Sequence, residues 1–502
     1  MLDDTIAAIA TPLGEGGLAV VRLSGPQALA VADRAFVPVG KSSLKPSAAP
    51  THTIQYGKIV RQGRTVDEVL LSVMRAPRTF TREDAVEITC HGGILAAKLV
   101  LDTVLENGAR LAEPGEFTRR AFLNGRIDLA QAEAVADLIH SRTELSLAAA
   151  NEQLAGKLSQ RINQLRDDLM KTLAHVEAHI DFPDEDIAPD TKEQLLSRLE
   201  RGVTFMDELL RTANEGQIFR RGIRTAIIGR PNVGKSSLLN QLLGHDRAIV
   251  SPIAGTTRDT IEETANIRGL PVVFVDTAGL REAGDAVERE GIRRSRESVA
   301  KAELILHVFD ASEPFTPEDD NYLKQFAHKK RILVRNKTDL PSRLALPEEL
   351  VAECATEQTA KLTPGPSREG NCPRERKSEE NLLEERSLSP ASNLATRSAV
   401  VDVCALSGEG IEALKDAIKN LVWAGEIKAE MLQVMINSRH QDALRRAREA
   451  TIRTIDALRG DLTLELVALD LRIAVNAVGE VVGKTTTEDL LDSIFSQFCI
   501  GK

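Results

Sequence analysis

Along the first 120 residues, short apolar runs such as LAVVRLSG and DEVLLSVMRAP alternate with turn signals and read as strands. ILAAKLVLDTVLENGA reads as a helix closed by Asn107-Gly108. From about 124 to 215 the texture changes to apolar residues at helical spacing with almost no Gly or Pro. DFPDED at 181–186 breaks that run, and a second helix follows to about 213. At Gly222 the pattern switches again: a strand, RTAIIG, then a loop, then a helix. PVVFVDTAG, AELILHVFDA, KRILVRNKTD and AVVDVCALSG continue as strands, which predicts a doubly wound, mostly parallel α/β unit. After about 418 the helical texture returns and persists to the end. The economical arrangement is an α+β domain at 1–120 and one helical domain split into 121–216 and 418–502. An α/β domain at 217–417 is inserted between the two halves. Within it, about 341–399 is rich in Ser, Pro, Glu and Arg and reads as a disordered surface insertion.

Composition agrees with three globular parts. The 502 residues are 42% hydrophobic and only 3% aromatic, so Leu, Ile, Val and Ala must build the cores. The net charge of −10 argues against coating nucleic acid by bulk electrostatics. Two local clusters, Arg119/Arg120/Arg126 and Arg439/Arg445/Arg446/Arg448, are read as solvated helix faces. Five scattered cysteines (Cys90, Cys354, Cys372, Cys404 and Cys499) give neither a disulfide framework nor a metal-binding spacing. No secretory signal opens the chain and no apolar run reaches about 18 residues, so a cytoplasmic protein with no membrane span is expected.

The chemistry lies in the α/β part. GRPNVGKS at 229–236 sits between a strand and a helix, the context of a phosphate loop. Backbone N–H groups from Asn232, Val233, Gly234, Lys235, Ser236 and Ser237 would surround phosphate oxygens. The Lys235 ammonium would reach the β- and γ-phosphates, and the Ser236 hydroxyl would bind Mg²⁺. In DTAG, Asp276 stands where a carboxylate outside the Mg²⁺ shell belongs, followed by Thr277, Ala278 and Gly279, whose N–H would sense the γ-phosphate. NKTD selects guanine. Asp339 accepts from guanine N1–H and N2–H₂, Asn336 bonds its O6/N7 edge, and the Lys337 stem covers the base. Cys404, Ala405 and Leu406 supply a backbone N–H for O6. GTP is therefore the nucleotide. SPIAGTTRD at 251–259 is a switch loop. No Gln follows DTAG, since Leu280 comes next, so hydrolysis needs another route. Asn232 either holds a cation near the β/γ bridging oxygen or caps the loop turn.

GRPNVGKS, AGTTRD, DTAGL, NKTD and the terminal FCIGK together closely resemble the MnmE (TrmE) family of tRNA-modification GTPases. So do DTIAAIATPLGEGGLAVVRLSG, FTREDAVEITCHGG and PGEFTRRAFLNGRIDLAQAEAVADLI near the N-terminus. The resemblance implies a multidomain fold: an α+β folate-binding N-terminal domain, an all-α helical domain and an inserted Ras-like α/β G domain. It implies a homodimer through the N-terminal domains and a heterotetramer with the flavoprotein MnmG. The tRNA substrate would gain a (carboxymethyl)aminomethyl group at C5 of its wobble uridine, using the one-carbon unit of 5-formyl- or methylene-tetrahydrofolate. By matching positions, Asn232, Ser251, Ile253 and Thr256 would bind K⁺, and Ser236 with Thr257 would bind Mg²⁺. Glu288 would orient the attacking water, although DAVERE alone reads as an exposed helix start. Arg22, Glu87, Arg126 and Lys502 would bind folate, with Glu87 taken over Glu83. Cys499 is read as a small buried residue shaping that pocket in preference to a nucleophile. The alternative function is a ribosome-assembly GTPase switch of the Era/Der type, which shares the phosphate loop and GTTRD. That class typically carries an RNA-binding domain after the G domain, or two G domains in tandem. This chain has one, followed by a helical segment.

Overall fold

A computed structural model of the chain describes residues 4–40, 44–181, 192–244, 263–275, 300–347, 398–423, 435–460 and 462–501. These fall into two compact units. One is built from residues 4–221 with 435–501, and the other from residues 222–423.

The first unit opens with a seven-stranded sheet of order β3-β4-β5-β6-β2-β1-β7. Its strands are β1 (Ile6–Ile9), β2 (Leu18–Ser24), β3 (Phe36–Pro38), β4 (Thr53–Arg61), β5 (Arg64–Met74), β6 (Ala85–His91) and β7 (Arg110–Leu111). Helices α1 (Ala28–Ala35) and α2 (Ile94–Glu106) supply the apolar face that meets Val21, Leu23, Leu71, Val73, Val86 and Ile88. Side chains alternate across a pleated sheet, so this core assigns the opposite face as well. In the antiparallel register, Arg22 pairs with Glu87 and Glu87 with Ser72, while Ser24 pairs with Ala85 and Ala85 with Met74. Those two rows lie away from α1 and α2. Helix α3 (Glu116–Leu123) carries Phe117.

The helical run that begins near 124 is three helices up to residue 181: α4 (Leu129–His140), α5 (Glu144–Leu154) and α6 (Lys157–Asp181). Thr143 starts α5 with a capping box to Ser146, and Gly156, at φ 83°, precedes α6. Helices α7 (Lys192–Arg211) and α8 (Ala213–Arg221) complete this half.

The second unit holds a six-stranded sheet of order β13-β12-β11-β8-β10-β9. Its elements in chain order are β8 (Ile223–Ile228), α9 (Lys235–Leu243), β9 (Glu263–Ile267), β10 (Leu270–Phe274), β11 (Leu304–Asp310), α10 (Pro317–Gln325), β12 (Lys330–Asn336), β13 (Ser398–Asp402) and α11 (Ile411–Val422). All pairings are parallel except β9–β10, an antiparallel edge. The stretch expected to be disordered from 341 begins inside the packed unit. The Arg343 N–H bonds the Ala311 carbonyl at 2.8 Å, and Leu344 is buried against Phe309, Leu323 and Leu333. Residues 348–397 of that stretch lie outside the described residues.

The first unit resumes with α12 (Ser438–Arg459), α13 (Leu464–Val482) and α14 (Glu488–Phe495). Leu444, Ala447, Leu471 and Val478 pack with Leu158, Ile162 and Leu199 of α6 and α7 in one core, so the two helical segments form one body. Its polar centre is Glu133 of α4. Glu133 accepts from Arg439 at 2.9 Å and from the Asn437 amide at 2.9 Å, and it meets the His440 ring at 2.8 Å. Burial would raise the Glu133 carboxyl, but its contacts with His440 and Arg439 outweigh that and hold it far below the carboxylate range. Burial lowers His440 to about 4, against the pull of Glu133.

Two arginines expected on solvated faces are therefore structural. Arg439 also donates to the Glu480 and Val481 carbonyls near the end of α13. Arg120 is fully buried, with Asp4 at 2.7 Å, Glu116 at 2.9 Å and Glu83 at 3.3 Å. A buried guanidinium needs such partners. Among the described residues, no helix is long and apolar enough to cross a membrane.

Candidate nucleotide loop and a cavity on the first sheet

In the second unit, β8 runs into a loop whose geometry is dictated by two glycines. At Gly229, φ is 145° and a Cβ would lie 2.3 Å from the Val308 carbonyl. At Gly234, φ is 95° and a Cβ would lie 2.2 Å from Asn336 Nδ2. Neither position admits a side chain. Gly234 caps α9, so Lys235 and Ser236 open that helix with its N–H groups facing the loop. Asn232 is exposed at φ 64°, and Ser237 is exposed in the first turn. Lys235 Nζ donates to the Gly229 carbonyl at 2.9 Å and the Arg230 carbonyl at 2.7 Å. Burial lowers its pKa, against the charge of Glu318.

Asn336, buried at the end of β12, ties three segments together. Its Nδ2 donates to the Val233 carbonyl at 2.8 Å, and its Oδ1 accepts the Ala405 N–H at 2.9 Å. The Asn336 amide and the Ala405 N–H, both expected on the guanine edge, thus engage each other here. Lys337, at φ 64°, places Nζ 2.6 Å from Asp310 Oδ2. Burial would raise the Asp310 carboxyl, but Lys337 and Ser312 hold it below its ordinary value. The Cys404 thiol donates to Asp339 Oδ1 at 3.2 Å, and Leu406 is exposed. Asp276, Thr277, Ala278, Gly279, Ser251, Ile253, Thr256, Thr257 and Glu288 lie outside the described residues, as does Lys502.

In the first unit, the two rows of β2, β5 and β6 that face away from α1 and α2 floor a cavity of about 290 Å³. Arg22, Ser24, Met74, Ala85 and Glu87 come from the strands. Thr79, Phe80, Thr81, Phe117, Thr118 and Val135 close the sides. Arg22 Nε donates to Glu87 Oε1 at 2.8 Å, its Nη1 to the Gly501 carbonyl at 3.4 Å, and its guanidinium lies 5.8 Å from the Phe117 ring centre. Glu87 lines this cavity. Glu83 is committed elsewhere, to Arg120 and to the Ser24 hydroxyl at 2.7 Å. Arg126 donates to the Thr79 carbonyl at 3.1 Å and lies over Phe80. Cys499, read as buried, is exposed instead. Its neighbour Phe498 takes the buried place against Phe495, Leu129 and Ala132.

Comparison with known proteins covers both units. The model of the GTP-binding protein TrmE N-terminus matches residues 5–126, and that of the MnmE helical domain matches residues 129–499. The tRNA modification GTPase MnmE of Geobacillus kaustophilus (strain HTA426) is 45% identical over 502 residues, covering 99% of each chain. That of Geobacillus thermodenitrificans (strain NG80-2) is 46% identical over 503 residues, again 99% of each. The chain belongs to the MnmE (TrmE) family. Among solved structures, the G domain of the T. maritima FeoB iron transporter aligns with 40% of this chain and 98% of its own, at 22% identity and a TM-score of 0.21.

As a member of the MnmE family, the chain is a GTPase acting in tRNA modification. Sequence reasoning missed Arg230 in the loop after β8 and Asp310 at the end of β11, the partner of Lys337. Arg230 Nε donates to the fully buried Asp319 at 3.1 Å, and Asp319 also caps α10 through Thr316. The TPED run at 316–319 carried that capping signal. In the cavity it missed Ser24 and Met74, whose only sequence signal was strand alternation, and Phe80, Thr81 and Phe117, which the loop after β5 and helix α3 bring to it.

Proposed function

We propose that this GTPase, with the flavoprotein MnmG, adds a (carboxymethyl)aminomethyl group to C5 of the wobble uridine of certain tRNAs, using a tetrahydrofolate one-carbon unit. The supporting observation is the Arg22–Glu87 pair set in a cavity of about 290 Å³, with Arg22 also donating to the Gly501 carbonyl. That volume is at the small end of ligand cavities and suits a flat bicyclic head group without its tail. Glu87 can accept from the amide and amine edge of a pterin. Arg22, Arg126 and Lys502 offer cations to carboxylates, and Phe80 and Phe117 offer ring faces. The bound tetrahydrofolate supplies a carbon at the formyl or methylene level.

In the G domain, Lys235 and the N-terminus of α9 bind the phosphates, and Ser236 with Thr257 holds Mg²⁺. Asn232, Ser251, Ile253 and Thr256 would hold K⁺, whose charge would offset the negative charge that gathers near the β/γ bridging oxygen in the transition state. Glu288 orients the attacking water, and Asp276 and Gly279 sense the γ-phosphate. Asn336, Lys337, Asp339 and the 404–406 segment read guanine. The protein works in the cytoplasm as a homodimer through its N-terminal domains.

Calorimetry with 5-formyl-tetrahydrofolate tests the carbon donor. Micromolar binding to the full chain supports the reading, and no binding at millimolar ligand sinks it. Replacing Na⁺ by K⁺ should raise GTP turnover strongly, and Asn232→Ala should abolish that response. Equal rates in both salts would remove the cation from the mechanism.

A further inference from the structure

The wall of the cavity carries a basic rim that no role above uses as a whole. Thr79, Phe80 and Thr81 line the cavity, and the residues on either side of them, Arg78 and Arg82, are both exposed. Arg126 joins them from the segment after α3. Its Nη1 and the Arg82 backbone N–H meet at one acceptor, the Thr79 carbonyl, at 3.1 and 3.4 Å. Arg82 Nη1 donates to the Asn124 carbonyl at 2.9 Å, and Asn124 Nδ2 returns to the Thr81 carbonyl at 2.7 Å. These bonds stitch the two segments together and hold the guanidinium groups of Arg82 and Arg126 there, with the exposed Arg78 one residue before Thr79.

The partners of these arginines are informative. Deeper in, Arg22 pairs with Glu87, and Arg120 with Asp4, Glu83 and Glu116. Among the described residues, Arg78, Arg82 and Arg126 form no ion pair; Arg82 and Arg126 bond only carbonyls, which leave their charge uncompensated. Arg82 also sits at φ 58°, a left-handed conformation that non-glycine residues seldom keep. An exposed, strained, unneutralised arginine beside a cavity is poor design for stability and good design for an anion.

We propose that Arg78 and Arg82, beside Arg126, form the surface on which phosphates of the tRNA anticodon loop lie as the wobble nucleotide approaches the cavity. This rests on the reading of the cavity as the one-carbon site. The partner class follows from the family: the substrate is a tRNA, its backbone is a row of phosphates, and guanidinium forks match phosphate oxygens. A local rim also reconciles RNA handling with the net charge of −10.

The test uses the full chain, in vitro transcribed tRNA with an unmodified wobble uridine, and binding measured across a salt series. Arg78→Ser with Arg82→Gly, which leaves Arg126 in place, should weaken binding by about tenfold at low salt. It should also flatten the slope of log K against log salt by about 1.4, roughly 0.7 for each lost contact to unpaired RNA. Arg82→Gly alone should keep or raise the thermal midpoint while weakening RNA binding, a split that a merely structural arginine would not give. An unchanged affinity and slope overturns the proposal, as does a wild-type chain that binds no tRNA at low salt. Loss of affinity for polyglutamylated folate with tRNA binding intact also overturns it, by reassigning the rim to the ligand tail. Binding of 5-formyl-tetrahydrofolate is read in parallel. If the wild type binds none, the cavity reading fails, while the salt slope still decides whether the rim meets RNA.

Discussion

Asn336 in the second unit and Arg22 in the first each hold a site together, and they do so over different patterns of sequence. Asn336 joins Val233 and Ala405, and each of those lies within a short contiguous motif whose backbone does the work. Arg22 stands among alternate residues of three strands, with a loop and two helices closing over them. A site made of consecutive backbone groups needs particular glycines and caps, which leave a motif. A site made on a sheet face needs only every second residue to point the right way, and many side chains satisfy that. The first kind can be read from a sequence, and the second only after the register is known.

Deleting the two anchors has the largest expected effect. Asn336→Ala leaves the Val233 carbonyl and the Ala405 N–H without their partner in a buried place. At about 1–3 kcal/mol for each orphaned group, GTP affinity should fall on the order of a hundredfold or more. Arg22 is partly exposed, and water can replace part of what it gives Glu87, so Arg22→Ala should weaken 5-formyl-tetrahydrofolate binding less, by roughly tenfold. Fluorescent-nucleotide titration and calorimetry read the two losses. A larger effect for Arg22 than for Asn336 would overturn the ranking of the sites by burial.

A second comparison sets His440 of the first unit against His307 of the second. Both are buried, and burial lowers both to about 4 from an ordinary 6.5, against the opposing charges of Glu133 and Asp319. The unfolded chain therefore binds more protons than the folded one between about pH 4 and 6.5. Stability from each is complete above 6.5 and is lost as pH falls through that window, on the order of 3 kcal/mol apiece. Glu133, held ionised, adds loss below its ordinary 4.5 in the same direction. Thermal midpoints should drop steeply from pH 6.5 to 4.5. Of two transitions, the one GTP raises should respond to His307→Phe and the other to His440→Gln. A midpoint flat from pH 7 to 5 would mean that the histidines are charged or solvated.

Much of the fold was legible because its signals are local. The strands β8, β10, β11, β12 and β13 are apolar runs, and the phosphate loop is fixed by Gly229 and Gly234. What escaped depends on distance. Arg120 looked solvated because its partners Asp4 and Glu83 are 116 and 37 residues away. The antiparallel edge β9 is only five residues long and starts with Glu263 and Thr264, both buried, so it lacked an apolar signature. The break before α5 is made by a Thr143–Ser146 capping box, a weaker mark than proline. Cys499 was expected inside because small thiols usually are, but packing placed Phe498 there first.

The smallest effect tests a single atom. Cys404 donates to Asp339 Oδ1 from a thiol, at 3.2 Å. Sulfur is a weak donor, and the same bond from a hydroxyl is shorter and stronger. On the proposed reading Asp339 is the carboxylate that accepts from guanine, so a firmer hold on its Oδ1 would fix the direction of the other oxygen toward the base. Cys404→Ser should therefore tighten GTP and GDP binding two- to fivefold, equivalent to about 0.4–1 kcal/mol, through slower nucleotide release. The cavity in the first unit shares none of these atoms, so 5-formyl-tetrahydrofolate affinity should stay constant. Stopped-flow displacement of a fluorescent GDP reads the release rate. An unchanged or faster release would show that the thiol is not the weak element of the guanine loop, and that Asn336 and Ala405 alone set its stiffness.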